Sequence, residues 1–293
     1  MKTGWAAAFV LVCAAAVILG QNGWKRAAGT LREKLEATRL ETEPAVYRPE
    51  ALEGLPGPVQ RYLRTVLAEG QPVVAKARIL HRGWFNMEEN GERWKPFASE
   101  QESVAARPGF AWEARIRAAP GVPVFVRDAY AAGEGVLKAA IWGLIPVADW
   151  PNTPELAYGE LLRFLAESPW YPTVLLPSPF LKWEPVDASC AMATLTDGKT
   201  TVSLEFHFGP DGLVETVRAK SRPRTVGKRT EDCPWEGRFW AYERHGGMLV
   251  PAEGEVSWIL PGGALPYWRG RVERIEYTFV GGRLPANAET GDL

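Results

Sequence analysis

Apolar and polar residues alternate with a period of two along most of the chain after residue 73. The alternation is clearest in residues 110–118, 202–208, 255–260 and 274–279. A β-strand with one buried face shows this period, because successive side chains point to opposite faces of the sheet. Turn-forming dipeptides separate several of these segments and favour hairpins; they are Asn90-Gly91, Asp197-Gly198, Asp211-Gly212 and Gly246-Gly247. The pattern predicts about ten or eleven antiparallel strands, mostly in sequential hairpins.

Two longer helices and one short helix interrupt the predicted strands. In residues 58–67, Pro58 suits the first helical position, and apolar side chains recur at helical spacing. A second helix begins at Thr153-Pro154-Glu155, which combines an N-cap, a first-position proline and an acid in the first turn. Residues 172–176 form the short helix. A sheet this long must curl or close to hide its edges. We therefore predict an α+β fold, with a strongly curved antiparallel sheet that forms an open half-barrel.

Residues 4–20 are an uncharged, mainly apolar stretch of 17 residues. This length is at the lower limit for a helix that crosses a bilayer, and Trp5 and Trp24 flank it as interfacial aromatics do. We predict an uncleaved transmembrane anchor; a cleaved signal peptide and a buried helix are the open alternatives. Basic residues after the stretch favour a cytoplasmic body, whereas the predicted architecture is commoner outside the cytoplasm. The side of the membrane therefore stays open.

Composition divides the rest of the chain into three parts. Residues 21–57 are predicted to form a charged helical stalk, solvated along its length, and a linker rich in Pro, Glu and Gly. Residues 58–281 make up the half-barrel domain. Residues 282–293 are predicted to be a flexible tail.

Charge and reactive side chains exclude several functional classes. The 34 basic and 35 acidic residues leave a net charge of −1, which argues against nucleic-acid binding. The three His and three Cys show no metal-ligand spacing, and no catalytic or phosphate-binding motif stands out. We therefore predict no catalytic residue, metal or cofactor. An enzyme remains an alternative, with Asp128, Tyr130 or Glu205 for acid–base work, although their strand positions predict solvent-facing side chains. Cys190 and Cys233 either pair or remain free thiols.

The 13 Trp residues are the most informative part of the composition. Large aromatic rings suit the lining of a concave apolar cavity, although ordinary core packing is the simpler interpretation. The cavity candidates are Trp94, Trp112, Trp170, Tyr171 and Trp258. Trp112 and Trp258 are the best of these, because they lie on the apolar faces of their predicted strands.

A basic run with six cations covers residues 218–229. We expect it to leave its strand in a turn-like region around Pro223, so a solvated loop is the simpler interpretation and contact with anionic lipid the alternative. Arg218 and Arg222 are the candidates for binding an anionic head group.

Several short sequence motifs, spread over roughly residues 50–280, resemble those of a known family. They are LPGPVQRY at 55–62, WKPF at 94–97, PGFAW at 108–112, WYPT at 170–173, LLPS at 175–178, PW at 234–235, VP at 250–251 and PYWR at 266–269. Together they resemble an uncharacterised bacterial family with a membrane-anchored domain of unknown function. That family has no assigned activity to transfer.

A more distant resemblance is to the lipoprotein-localisation factors of the LolA/LolB type. It rests on the early amphipathic helix, the PGFAW strand, the helical insertion in the middle of the chain and the later Asp-Gly hairpins. The resemblance implies an open antiparallel barrel whose hollow, covered by helices, holds acyl chains. This chain departs from that type in its length and its own N-terminal span, so a tethered binder is expected rather than a soluble shuttle.

Together these observations predict a membrane-tethered domain that binds a lipid or other hydrophobic ligand on the concave face of a curved sheet, without catalysis. One alternative is a structural or partner-docking domain with a filled core. Another is an enzyme that acts on a lipid-like or sugar-like substrate. An interior packed solid around Trp112 and Trp258 would contradict the binding prediction.

Overall fold

Thirteen antiparallel strands form one continuous sheet in the computed structural model, which describes residues 2–38, 45–89, 91–227 and 229–282. The strands are β1 Val74–Asn86, β2 Trp94–Val104, β3 Gly109–Ala119, β4 Val122–Ala131, β5 Glu134–Ile141, β6 Ile145–Trp150, β7 Leu181–Pro185, β8 Cys190–Asp197, β9 Thr200–Phe208, β10 Val214–Val226, β11 Arg229–His245, β12 Met248–Leu260 and β13 Gly263–Phe279. The helices are α1 Lys2–Ala37, α2 Gly57–Val66 and α3 Pro154–Ala166.

The sheet consists of two meanders, and the first strand of one pairs with the last strand of the other. Strands β1–β6 and β7–β13 each run as sequential hairpins, and β1 pairs with β13 to make the sheet continuous. The antiparallel hairpins at the four turn-forming dipeptides are confirmed, since β1–β2, β8–β9, β9–β10 and β11–β12 pair directly. The predicted number of strands was too low. The basic run also stays in a strand, since β10 continues through Pro223 to Val226.

The sheet curls around α3, which lies on its concave side and contacts β3, β4, β5, β9 and β10. The helix begins as predicted, because the Thr153 hydroxyl accepts the Leu156 amide at 3.2 Å. Its buried face includes Leu161, Phe164 and Leu165, and these join the main core cluster. The short helix predicted at 172–176 is a 3₁₀ turn over Pro172–Leu175.

A polar clasp joins the two meanders at the end of the strands where β2 turns into β3. Asp197, at the end of β8, accepts the Tyr130 hydroxyl at 2.9 Å and the Arg107 guanidinium at 3.2 Å. Tyr130 is on β4 and Arg107 is in the β2–β3 turn, so the clasp connects elements that are far apart in the strand order. The sheet therefore closes on itself at this end without a continuous ring of backbone hydrogen bonds.

The segment predicted as a solvated stalk packs instead on the outer face of the sheet, as the second half of α1. The Trp24 indole donates to Glu113 at 2.7 Å, Arg32 pairs with Glu102 at 3.1 Å, and Leu35 is buried against the sheet. The expected linker is also packed, because the Tyr47 side chain is buried in the core. Charged side chains of the sheet form ion pairs with the charged face of this helix. The sequence pattern had predicted that this face would be solvated.

The predicted anchor at 4–20 falls in the first half of α1, a helix of 36 residues. Within the residues whose placement is described, no helix combines the length and apolarity that crossing a membrane requires. Of the tail predicted at 282–293, all residues after 282 lie outside the described part of the chain.

Candidate ligand-binding cavity

A cavity of about 780 Å³ lies between α3 and the concave face of the sheet. Its wall combines apolar side chains with charged ones, which come from α3 and the turn after it, from β4, β10, β11 and β12, and from the β1–β2 hairpin. This volume is within the range of pockets that hold small molecules. The interior of the half-barrel is therefore only partly filled by the chain's own side chains.

Four of the seven predicted binding residues line this cavity. They are Trp112 on β3, Trp170 in the turn after α3, Trp258 on β12 and Arg222 on β10. Trp112 is almost completely buried, whereas Trp258 is half-buried at the wall. Trp112 is therefore packed among its neighbours, and open space adjoins Trp258. The interior is not packed solid, so the condition that would have contradicted ligand binding is not met.

The other three predicted residues lie elsewhere. Trp94 is under the Arg269 guanidinium, whose carbon is 4.6 Å from the ring centroid. Tyr171 is a core residue whose hydroxyl donates to the Phe164 carbonyl at 3.1 Å. Arg218 is exposed and pairs with Glu236 at 2.7 Å.

Two indoles and one stacked ring pair in the aromatic wall are held in place by contacts within the protein. The Trp235 indole donates to the Tyr267 hydroxyl at 2.9 Å, and the Trp170 indole donates to the Pro251 carbonyl at 3.1 Å. Trp258 and Tyr267 stack with their ring centroids 5.6 Å apart. These bonds orient the rings before any ligand arrives, so little ordering is needed on binding.

A β-bulge decides which basic side chains of β10 enter the cavity. The pairing between β10 and β11 shifts register between Ala219 and Arg222. Before the shift Val217 and Ala219 are buried, and after it Arg222 and Arg224 are buried instead. A bulge inserts an extra residue and so exchanges the faces to which later side chains point. The interpretation of this run as a solvated loop was therefore wrong for Arg222 and Arg224.

A cluster of acidic and basic side chains in the cavity wall connects α3 to the sheet. The Arg163 guanidinium donates to Asp128, to Glu167 at 2.7 Å and to the Gln101 side chain at 3.2 Å. Asp128 lies on the concave face of β4, so the expectation that it faces solvent was wrong. Tyr130, two residues further along the strand, is fully buried.

Glu160 on α3 faces the same cluster, where its surroundings favour the protonated carboxyl. Burial and the neighbouring Asp128 carboxylate raise the pKa of Glu160 well above its usual range. One oxygen of Glu160 and one of Asp128 are buried and have no hydrogen-bond partner within the described residues when both groups are treated as acceptors. Protonation of Glu160 accounts for both atoms, because a protonated carboxyl becomes a donor and can bond to the Asp128 carboxylate.

Glu160 was missed by sequence reasoning, although a signal was present. It lies three residues after Ala157 and four before Phe164, so it occupies the apolar stripe that packs toward the sheet. A carboxyl group on such a stripe is buried, and buried titratable groups in a cavity are candidates for function. Trp235 was also missed, since its strand did not show the clearest alternation.

Cys190, Glu205 and His207 form a possible metal-binding group on β8 and β9, with ligand atoms within 4.8 Å of one another. Burial raises the pKa of the Cys190 thiol to about 11, which disfavours the thiolate that metals bind. Lys220 also approaches the Glu205 carboxylate at 3.4 Å. Cys190 and Cys233 are both free thiols here.

Comparison with known proteins identifies a family. The model of a family of unknown function, DUF6920, matches residues 53–277, close to the range over which the resemblance was recognised. No curated protein matches the chain. A crystal structure of a LolA superfamily protein from Nitrosomonas europaea is similar at 10% identity, over 75% of this chain and 91% of that one, with a TM-score of 0.37. The chain belongs to the family of unknown function DUF6920.

Proposed function

We propose that this protein binds one lipid or other hydrophobic ligand in the cavity between α3 and the curved sheet. The observation that carries the proposal is the cavity of about 780 Å³ whose wall presents several indole rings. Protein interiors are otherwise close-packed, with few voids larger than a water molecule. A domain that served only as a scaffold would gain stability by filling this space.

The physical driving force is the burial of apolar surface. Each Å² of acyl or similar surface removed from water contributes about 25 cal/mol. The half-buried rings of Trp258 and Tyr267 provide contact area at a low cost in side-chain entropy. The alternative of a structural domain with a filled core is disfavoured by the same void.

Filling the cavity tests the proposal directly. The neutral fluorescent probe N-phenyl-1-naphthylamine should bind the wild-type chain with one site, and native mass spectrometry should detect one co-purified ligand. Val256→Trp, in the wall on β12, should weaken probe binding by about tenfold or more, because the new indole occupies the space.

Val147→Trp is the matched control, since Val147 is exposed on β6 outside the cavity wall. It should leave probe binding unchanged. A wild-type protein that binds no probe and carries no ligand would contradict the proposed function.

We also propose that residues 4–20 associate with a lipid bilayer. Large apolar side chains in this half of α1 are exposed, among them Trp5, Phe9, Leu11 and Leu19. Exposed apolar patches of this kind support contact with a membrane or a partner. The double variant Leu11→Glu and Leu19→Glu should move the full-length chain from the membrane to the soluble fraction of lysed cells. An unchanged distribution would contradict membrane association through this segment.

Acid–base catalysis on a bound ligand is the second candidate function, and the Glu160–Asp128 pair favours it. A neutral acid beside a carboxylate can donate and accept protons in one reaction. Incubation of the protein with a total lipid extract should then yield new products by mass spectrometry. Glu160→Gln should abolish them while it retains probe binding. An absence of products with the wild-type protein would contradict catalysis on these substrates and leave ligand binding as the function.

A further inference from the structure

Arg222 is a buried cation that forms no ion pair with a carboxylate in the part of the chain that the structure describes. Its side chain lines the cavity and is 8% exposed. One terminal nitrogen donates to the Tyr267 hydroxyl at 3.1 Å, and the other donates to the Gly159 carbonyl at 3.2 Å. A guanidinium has five N–H donors, so these neutral partners leave three of them for another group.

The position of Arg222 strengthens its interaction with an anion. Its guanidinium carbon lies 5.0 Å from the Trp235 ring centroid and 5.7 Å from that of Trp258. The rings support the cation through their faces and exclude water from one side. An ion pair formed where water is excluded is stronger than one formed on the surface.

Most of the other charged groups in the cavity wall have ion-pair partners of their own among the described residues. These pairs are Arg163 with Asp128 and Glu167, Arg224 with Glu231, Glu255 with Arg269, and Glu88 with Arg93. Arg222 and Arg163 oppose the shift, but burial and the Asp128 carboxylate outweigh them and raise the pKa of Glu160; its protonated form carries no charge to neutralise Arg222. Glu89, Glu155 and Arg238 are exposed, and the Glu89 carboxylate accepts the Gly227 amide at 3.1 Å.

A buried charge without a partner is costly, and the usual remedies are an ion pair or a bound ligand. We propose that the ligand of this cavity carries an acidic head group, a carboxylate or a phosphate ester, which binds Arg222 while its apolar chain lies along the aromatic wall. This inference rests on the proposed function, because it names the ligand class of the same cavity.

The first measurement uses the wild-type protein and ligands that differ only in their head groups. Hexadecanoate, hexadecyl phosphate and hexadecanol compete with N-phenyl-1-naphthylamine below their aggregation concentrations. At least one acidic ligand should bind about tenfold more tightly than hexadecanol, because only an acid forms charge-assisted hydrogen bonds with Arg222. The acid that binds more tightly identifies the head group.

The second measurement tests whether Arg222 causes the preference. Arg222→Gln should weaken binding of the preferred acid by roughly 10- to 100-fold and change that of hexadecanol by less than about threefold. Arg222→Lys keeps the charge but loses the planar fork, so it should retain part of the preference. Arg218→Gln is the matched control, since Arg218 lies four residues earlier on β10 and outside the cavity, and it should behave as the wild type.

The outcomes separate this inference from the proposed function. Equal affinities of the wild-type protein for the acids and for hexadecanol would overturn the role of Arg222, while binding of a hydrophobic ligand would stand. An acid preference that persists in folded Arg222→Gln would also overturn it. If none of the ligands displaces the probe and the probe itself does not bind, the proposed function fails and this inference fails with it. If Arg222→Gln does not fold, the head-group preference of the wild-type protein and of Arg222→Lys decides the matter.

Discussion

His81 lies in the core between two indole rings, with centroid distances of 4.7 Å to Trp170 and 5.7 Å to Trp268. Both of its ring nitrogens are buried and have no hydrogen-bond partner among the described residues. Burial lowers the pKa of His81 to about 3, and the charge of Arg163 acts in the same direction. The imidazole therefore remains neutral in the folded protein, where it packs as an aromatic ring rather than as a titrating group.

Replacing His81 by Phe should make the protein less sensitive to acid. The pKa is lowered in the folded state, so protons bind the unfolded chain preferentially as the pH falls from about 6.5 toward the folded value. The wild-type protein should lose about 2 kcal/mol of unfolding free energy from this group between pH 7 and pH 5. Urea unfolding at both pH values should show that His81→Phe lacks this loss. His245→Asn, on the β11–β12 hairpin, should keep it; an identical loss in His81→Phe would rule out a buried neutral imidazole.

At the scale of elements, helix α1 has two different halves. Its first half exposes apolar side chains, and its second half packs on the outer face of the sheet. The contact depends on Trp24, whose ring lies 4.6 Å from the Arg127 guanidinium carbon and whose carbonyl accepts from the same side chain at 2.7 Å. Arg127 also pairs with Glu113, which accepts the Trp24 indole. One aromatic residue thus connects the helix to two neighbouring strands, β3 and β4.

Trp24→Ala should release the helix from the sheet. The variant should lose about 2 kcal/mol of unfolding free energy, because apolar contact, the hydrogen bond from the indole to Glu113 and the ring contact with Arg127 are all lost. Hydrogen exchange should rise in residues 24–37 more than in the sheet. Trp5→Ala is the matched control, since Trp5 is 77% exposed, and it should change neither quantity. Unchanged exchange in Trp24→Ala would mean that this contact does not hold the helix.

At the scale of the whole molecule, the half-barrel is a wide curved sheet with a cavity inside it, so contacts are needed that hold the curvature. The clasp between Asp197, Tyr130 and Arg107 joins the two meanders at one end of the strands. The β1–β2 hairpin, which borders the cavity, lies at the opposite end of β1 and β2. The curl is therefore held by side chains at one end, and the ligand space lies within reach of the other.

Asp197→Ala should weaken this closure. It leaves the buried Tyr130 hydroxyl without its acceptor, which should cost about 2 kcal/mol of unfolding free energy in a denaturant titration. Asp211→Ala removes an aspartate from another Asp-Gly hairpin, where the exposed carboxylate accepts the Leu213 amide, and should cost less. Equal losses in the two variants would indicate that Asp197 acts only within its own turn.

Much of the fold could be predicted because its signals are local. The Thr153 N-cap, the helical stripe of α2 and the Asp-Gly hairpins each depend on residues close together in the chain. Trp112 and Trp258 were placed correctly on the concave side, since alternation assigns a face within one regular strand. The packing of α1 could not be predicted in this way, because it depends on charged side chains contributed by distant strands.

Alternation and turn chemistry alone determined an antiparallel, strongly curved sheet with a helical insertion and an aromatic interior. The cavity's charged groups depended on the assembled fold. Glu160 and Asp128 meet only when α3 lies inside the curl, and Arg222 enters the cavity only because the register of β10 shifts after Ala219. The physical reason is that alternation in the sequence shows only that successive side chains of a regular strand point to opposite faces of the sheet. A bulge reverses this assignment for all later residues of the strand, and its position is set by pairing with another strand.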